Sequence, residues 1–181
     1  MTKDGAVPRV AWRTEDPRVS AWVMLCYRLP REPSTPRITV WRKLKRLGVA
    51  QLVDGLVALP ADARTREQVE WIAEEVAQAG GEASIWLATP TTVDLERQLV
   101  AQLAAARAEE YAAISAEAAA AAGAPPREAR RTAERLRAEL RRIGRRDYFP
   151  PPARDAAHAA VSALFARVAP EAAATEEEHH Q

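Results

Sequence analysis

The sequence contains a single cysteine, Cys26, among its 181 residues. An internal disulfide is excluded, and nothing in the cysteine usage points to an oxidising compartment. A zinc ribbon or finger needs several thiolates and histidines at short spacing. The three histidines are His158 and the adjacent pair His179-His180, none of them in a ligand pattern. Lysine is scarce too: Lys3, Lys43 and Lys45 are the whole complement, and arginine supplies the other 23 of 26 basic side chains. Outside an alanine run, no apolar stretch approaches the ~18 residues that a membrane span requires. The polar stretch Met1–Pro17 lacks the apolar segment of a secretory signal. The expected setting is the cytoplasm, without a membrane partner. Gly-x-Gly-x-x-Gly, the P-loop, His-Glu-x-x-His and Gly-x-Ser-x-Gly are all missing. No catalytic residue, metal or cofactor is expected, and the chain reads as a non-enzyme.

What is present is a soluble composition, 48% apolar and 28% charged, with a net charge of +1. That balance hides blocks. Residues 20–60 carry seven basic side chains against two acidic ones. Residues 61–124 reverse this, with four against eleven, and residues 125–155 reverse it again, with ten against five. Two basic regions thus flank an acidic one. They either neutralise it within the fold or across a dimer, or they form a surface for an anion such as nucleic acid.

Periodicity and turn residues set the element order. Ser20 to Arg28 is a short apolar run that reads as a buried strand. Ser34 can cap a helix entered through Thr35-Pro36 and stopped by Gly48, with Ile38, Trp41, Leu44 and Leu47 on its apolar face, widened by Val40. Residues 49–53 and 56–60 flank Asp54-Gly55, a strong hairpin signal. Thr65 and Gln68 fit a capping box for a helix over 65–79, with Val69, Ile72, Ala73 and Val76 inward. Residues 82–88 make a fourth strand. Strand, helix, strand, strand, helix, strand is the split βαβ order of a ferredoxin-like α+β domain. A four-stranded antiparallel sheet with both helices on one face is expected.

After Thr89-Pro90 the pattern becomes helical. Helices are expected over 92–122, capped by Thr91 or Thr92, over 126–143, stopped by Gly144, and over 153–168. The prolines of the link Asp147–Pro152 keep it non-helical. The predicted organisation is a flexible arm at 1–19, a ferredoxin-like domain at 20–90, a helical extension at 91–168 and a disordered tail at 169–181. Leu95, Leu99, Leu103 and Ile114 form a stripe that demands burial, by packing within the chain or through a homodimer of the helical extension. Trp22, Trp41, Trp71 and Trp86 are expected in or near the core, and Cys26 is expected to be a small buried hydrophobe.

The first basic helix is the most informative segment for function. Arg42, Lys45 and Arg46 lie off the apolar stripe, with Lys43 beside them and Arg37 a turn earlier. Arg42 and Arg46, four apart, share a face. Such a face can neutralise phosphates with salt-dependent affinity. The alternative is that the acidic side chains of the second helix, Glu67, Glu70, Glu74 and Glu75, absorb this charge. Arg145 and Arg146 form a second candidate patch, beside Tyr148 and Phe149.

Several blocks carry a resemblance. They are the run Trp22–Ser34, then Trp41–Gly48, Asp54–Pro60, Trp71 with Gly80-Gly81-Glu82-Ala83, Arg107-Ala-Glu-Glu-Tyr111 and Arg146-Asp-Tyr-Phe149. In this order they resemble the N-terminal domain family of the chromate-resistance regulatory protein ChrB, over roughly residues 20–168. The resemblance implies a bacterial cytoplasmic protein tied to transcriptional control of chromate resistance. It also implies DNA as a partner, although no helix-turn-helix is evident. Longer members add a C-terminal domain expected to take part in chromate sensing. This chain is expected to end before that domain, so sensing is not carried over to it. A weaker similarity links the sheet domain to phenylacetate-type repressors and CRISPR-adaptation nucleases. Those nucleases hold an aspartate at the end of the first strand, where this chain has Tyr27-Arg28, so nuclease activity is not carried over. The rival reading is a non-catalytic dimerisation or interaction module.

Overall fold

A computed structural model describes residues 21–168. The arm expected at 1–19 and the tail expected at 169–181 lie outside the described residues. The elements run β1 (Trp22–Arg28), α1 (Thr35–Leu47), β2 (Ala50–Val53), β3 (Leu56–Pro60), α2 (Ala63–Gln78), β4 (Glu82–Ala88), α3 (Val93–Ala121), α4 (Pro126–Gly144) and α5 (Ala153–Val168). The chain forms two compact units that divide within α3, one ending at Leu103 and the other starting at Ala104.

The first unit is α+β. Its sheet has the order β2-β3-β1-β4, and every pairing is antiparallel. Leu25 lies between Val57 of β3 and Ile85 of β4, which fixes the register. Asp54-Gly55 turns the chain as expected, with Gly55 at φ 77°. The Tyr27 N–H donates to the Gly55 carbonyl at 2.7 Å, so the hairpin turn is fastened to β1. α2 packs on β1 and β4, and α1 lies beside α2. Val23 and Leu25 of β1, Val40 and Leu44 of α1, and Val69 and Val76 of α2 are almost wholly buried. They form the core of this unit through the apolar area removed from water.

Local details differ from the sequence expectation in instructive ways. Ser34 sits at the N-cap of α1 but its side chain makes no capping bond. α2 starts earlier than expected. Asp62 is its cap, accepting from the Thr65 N–H at 2.6 Å, while Thr65 Oγ1 accepts from the Asp62 N–H at 2.9 Å. Thr65 is therefore the N3 partner in the box and not its first residue. Ile38, placed on the apolar face of α1, is 47% exposed, because Val40 and Leu44 set the buried direction. Trp71 and Trp86 are likewise exposed, at 62% and 61%. Val69, Ile72 and Val76 define the inner face of α2. Trp71 points away from that face, about 100° from Ile72 around the helix. Trp86 lies on an edge strand. Cys26 is exposed as well. It alternates with Leu25 along β1 and so faces away from α2.

The second unit is helical. α4 buries Ala129, Ala133, Leu136, Leu140 and Ile143, an alternation of four and three that keeps one side inward. Against it pack Tyr111, Ile114 and Ala118 of α3 and Ala157, Val161 and Leu164 of α5. Gly144 is the last residue of α4, and Arg145 caps it. Of the α3 stripe, Leu99, Leu103 and Ile114 are buried inside the chain, while Leu95 is 38% exposed. No helix among the described residues is long and apolar enough to cross a membrane.

Candidate nucleic-acid interface

α1 carries the candidate residues because its ends and its buried side are fixed independently of them. Pro36 suits the first turn, and Gly48 ends the helix at φ 73° with its N–H on the Leu44 and Lys45 carbonyls. Val40 and Leu44, four apart, turn one side into the core. Arg37, Arg42, Lys45 and Arg46 all emerge exposed. Lys45 Nζ stands 5.3 Å from the centre of the Trp41 ring, a cation–π arrangement that directs the charge along the helix surface.

The neutralising role foreseen for α2 is seen in one pair, in which Lys43 Nζ meets Glu75 Oε2 at 2.5 Å. Among the described residues, Arg37, Arg42 and Arg46 make no ion pair, and Glu67, Glu70 and Glu74 take no arginine from α1. Arg37 borders an open cavity of about 490 Å³ lined also by Tyr27, Leu29, Trp41, Gln51, Asp54 and Gly55. Burial, and then the Asp54 carboxylate, push the Tyr27 hydroxyl above its ordinary pKa. Arg46 borders a second cavity, of about 340 Å³, with Trp71, Gln68 and the Lys43–Glu75 pair. The arrangement can offer several cations and two aromatic faces to a polyanion.

Arg145 and Arg146 lie in the other unit and differ from each other. Arg145 is exposed. Arg146 Nη2 donates to Glu110 Oε2 at 2.9 Å, with its side chain 19% exposed. Burial, ahead of the neighbouring charges, lowers its pKa. The rest of the basic stretch is partly paired. Arg130 meets Glu134 at 3.3 Å, Arg142 meets Glu139 at 2.5 Å, and Arg135 meets Glu117.

A polar cluster that the sequence does not announce joins two of the quoted blocks. Glu110 accepts from Arg107 Nη2 at 3.1 Å through one oxygen and from Arg146 through the other. Tyr111 donates its hydroxyl proton to Asp147 Oδ2 at 2.9 Å. Tyr111 is fully buried and Arg107 is 6% exposed. Burial first, and then the Asp147 hydrogen bond, push the Tyr111 hydroxyl up to about 12. The available signal was the spacing Arg107, Glu110, Tyr111, which sets all three on one side of α3. Nothing in the spacing alone pairs them with Arg146-Asp147. At the end of β1, Arg28 is exposed and lies opposite Glu82. Among the described residues, no group of three His, Cys, Asp or Glu side chains could hold a metal ion.

The sequence matches a known family over most of its length. Residues 37–177 match the family described as "Protein ChrB, N-terminal". The match takes in α1 from Arg37 onward, the hairpin and both blocks of the polar cluster. A curated relative, "Protein ChrB" of Cupriavidus metallidurans, is 30% identical over 93 residues. That alignment takes in 51% of this chain and 28% of the relative, so the chain spans well under half of the relative's length. No solved structure matches.

Proposed function

The chain belongs to the ChrB N-terminal family, and from that premise we propose that it is a non-enzymatic, DNA-binding regulatory domain associated with chromate resistance. One observation carries the reading. α1 holds Arg37, Arg42 and Arg46 on exposed positions, and among the described residues the acidic helix beside it takes up none of the three. Lys45 adds a further exposed cation to the same helix. Arginines left for solvent by an acidic neighbour are suited to phosphates, which release counterions when neutralised. The strand order supports a ferredoxin-like domain as the platform, with α1 on its surface. In the other unit Arg145 is exposed, and Arg146 meets Glu110. The proposed setting is the cytoplasm, with neither metal nor cofactor needed for binding.

The test is a titration by fluorescence anisotropy against duplex DNA taken from upstream of the chain's own gene. Binding should be present at low salt and should weaken steeply as salt is raised, along a straight line in log K against log salt. The same titration with chromate added asks whether this chain responds to the oxyanion by itself. Absence of binding at low salt would refute the reading.

A further inference from the structure

We infer that β4 is the surface through which two copies of this chain join, as an antiparallel strand pair about a two-fold axis at Ile85. Among the described residues the sheet has two edges, β2 and β4, and they are treated differently. β2 is four residues long, and its pairing with β3 shifts between Gln51 and Val53. Its Gln51 carbonyl accepts from Gln102 Nε2 at 3.2 Å. Shortness, a bulge and a covering side chain are the usual ways to blunt an edge. Among the described residues, β4 has none of them. It is seven residues long, contains neither proline nor lysine, and pairs with β1 without any shift.

The direction of its backbone groups follows from the neighbouring strand. The Tyr27 N–H donates to Gly55 in the β2–β3 turn, and the Ala21 carbonyl accepts from Ala61 just past β3. Odd-numbered residues of β1 therefore address β3, and even-numbered ones address β4. Met24 and Cys26 face Trp86 and Ser84, so these two use their N–H and C=O groups on β1. Ala83, Ile85 and Leu87 aim theirs at the open edge. The side chains agree. Ile85, Trp86 and Leu87 are 38%, 61% and 58% exposed. Ile85 and Leu87 share a face with Leu25 and Val23, and Trp86 is on the opposite face, with Met24. One added strand would cover both faces.

A second copy fits because the strand is complementary to itself. Antiparallel pairing centred on Ile85 sets Ile85 against Ile85 and Ala83 against Leu87, so every outward N–H meets an outward C=O. Glu82, the one charged residue of the strand, then faces Ala88 of the other copy. The two Glu82 carboxylates end about 20 Å apart, at roughly 3.4 Å per residue. Parallel pairing would instead set them side by side. The α3 stripe offers a second copy less, since Leu99, Leu103 and Ile114 are buried within the chain. The inference does not depend on DNA binding.

The experiment is sedimentation of the full chain over a concentration series, without DNA, followed by cysteine trapping. A monomer–dimer equilibrium is expected. Leu87→Lys should raise its dissociation constant by about 100-fold, roughly tenfold for each lysine brought to the interface. Circular dichroism unchanged from the parent would confirm that the variant folds. In a Cys26→Ser background, Ile85→Cys should form a disulfide dimer under mild oxidation. Its Cα atoms would meet at about 5.5 Å, inside the range a disulfide accepts. Leu87→Cys should not, because its copies would lie about 13 Å apart along the strands. A chain that stays monomeric throughout overturns the inference. So does a dimer that survives Leu87→Lys and fails to trap at Ile85.

Discussion

Tyr111 has the clearest pH signature in the second unit. Its hydroxyl is buried on Asp147, and its pKa stands at about 12, above the ordinary value of 10.0. The raised value means that the folded state favours the neutral phenol. The stability this contributes is complete below pH 10 and is lost as pH rises through 12. Thermal unfolding followed over that window should show the decline, and Tyr111→Phe should flatten it. Glu110 is the other residue to test, since it takes both Arg107 and Arg146. Glu110→Gln leaves two guanidinium groups without their carboxylate, one of them almost fully buried. A loss of about 2 kcal/mol in denaturant unfolding is expected. Side-chain environments of this kind were the least legible part of the sequence. Cys26, Trp71 and Trp86 look like core residues by type, yet each is exposed. The apolar run of β1 has no polar alternation to reveal which face is covered, and the tryptophans sit one step off a buried face or on an open edge.

Elements are more legible than residues, because their signals are local. Gly48 ends α1 with a left-handed conformation, and Asp54-Gly55 makes the hairpin. Gly55 is constrained twice over: its φ is 77°, and a Cβ there would strike the Tyr27 carbonyl. Gly55→Ala should therefore destabilise the sheet by more than the about 1 kcal/mol typical of a strained turn, as a lowered urea midpoint would show. The start of α2 is not legible in the sequence because Asp62 and Thr65 each carry a cap-forming oxygen, and composition does not say which takes which role. Asp62→Ala should cost about 1 kcal/mol by removing the reciprocal pair of bonds. The candidate helix α1 was legible in its span and in its exposed cations. What the sequence left open was whether the glutamates of α2 would absorb them, a question of side-chain reach that spacing does not answer.

At the scale of the whole molecule, a net charge of +1 gives no hint of a polyanion partner. The blocks matter instead. The arginines of α4 are partly matched by Glu134, Glu139 and Glu117, so that stretch is less basic than its composition suggests. α1 keeps its arginines on exposed positions. The proposed role of this helix face is to bind phosphates, and a salt titration of DNA binding with an Arg42→Glu, Arg46→Glu double variant tests it most directly. The double variant should keep its circular dichroism and its unfolding midpoint, because neither side chain is part of the core. Its log–log salt slope should be shallower than the parent's by about 0.9 for each phosphate that is no longer neutralised. Its affinity at moderate salt should fall below detection. A well-folded double variant that binds with the parent's slope would contradict the claim.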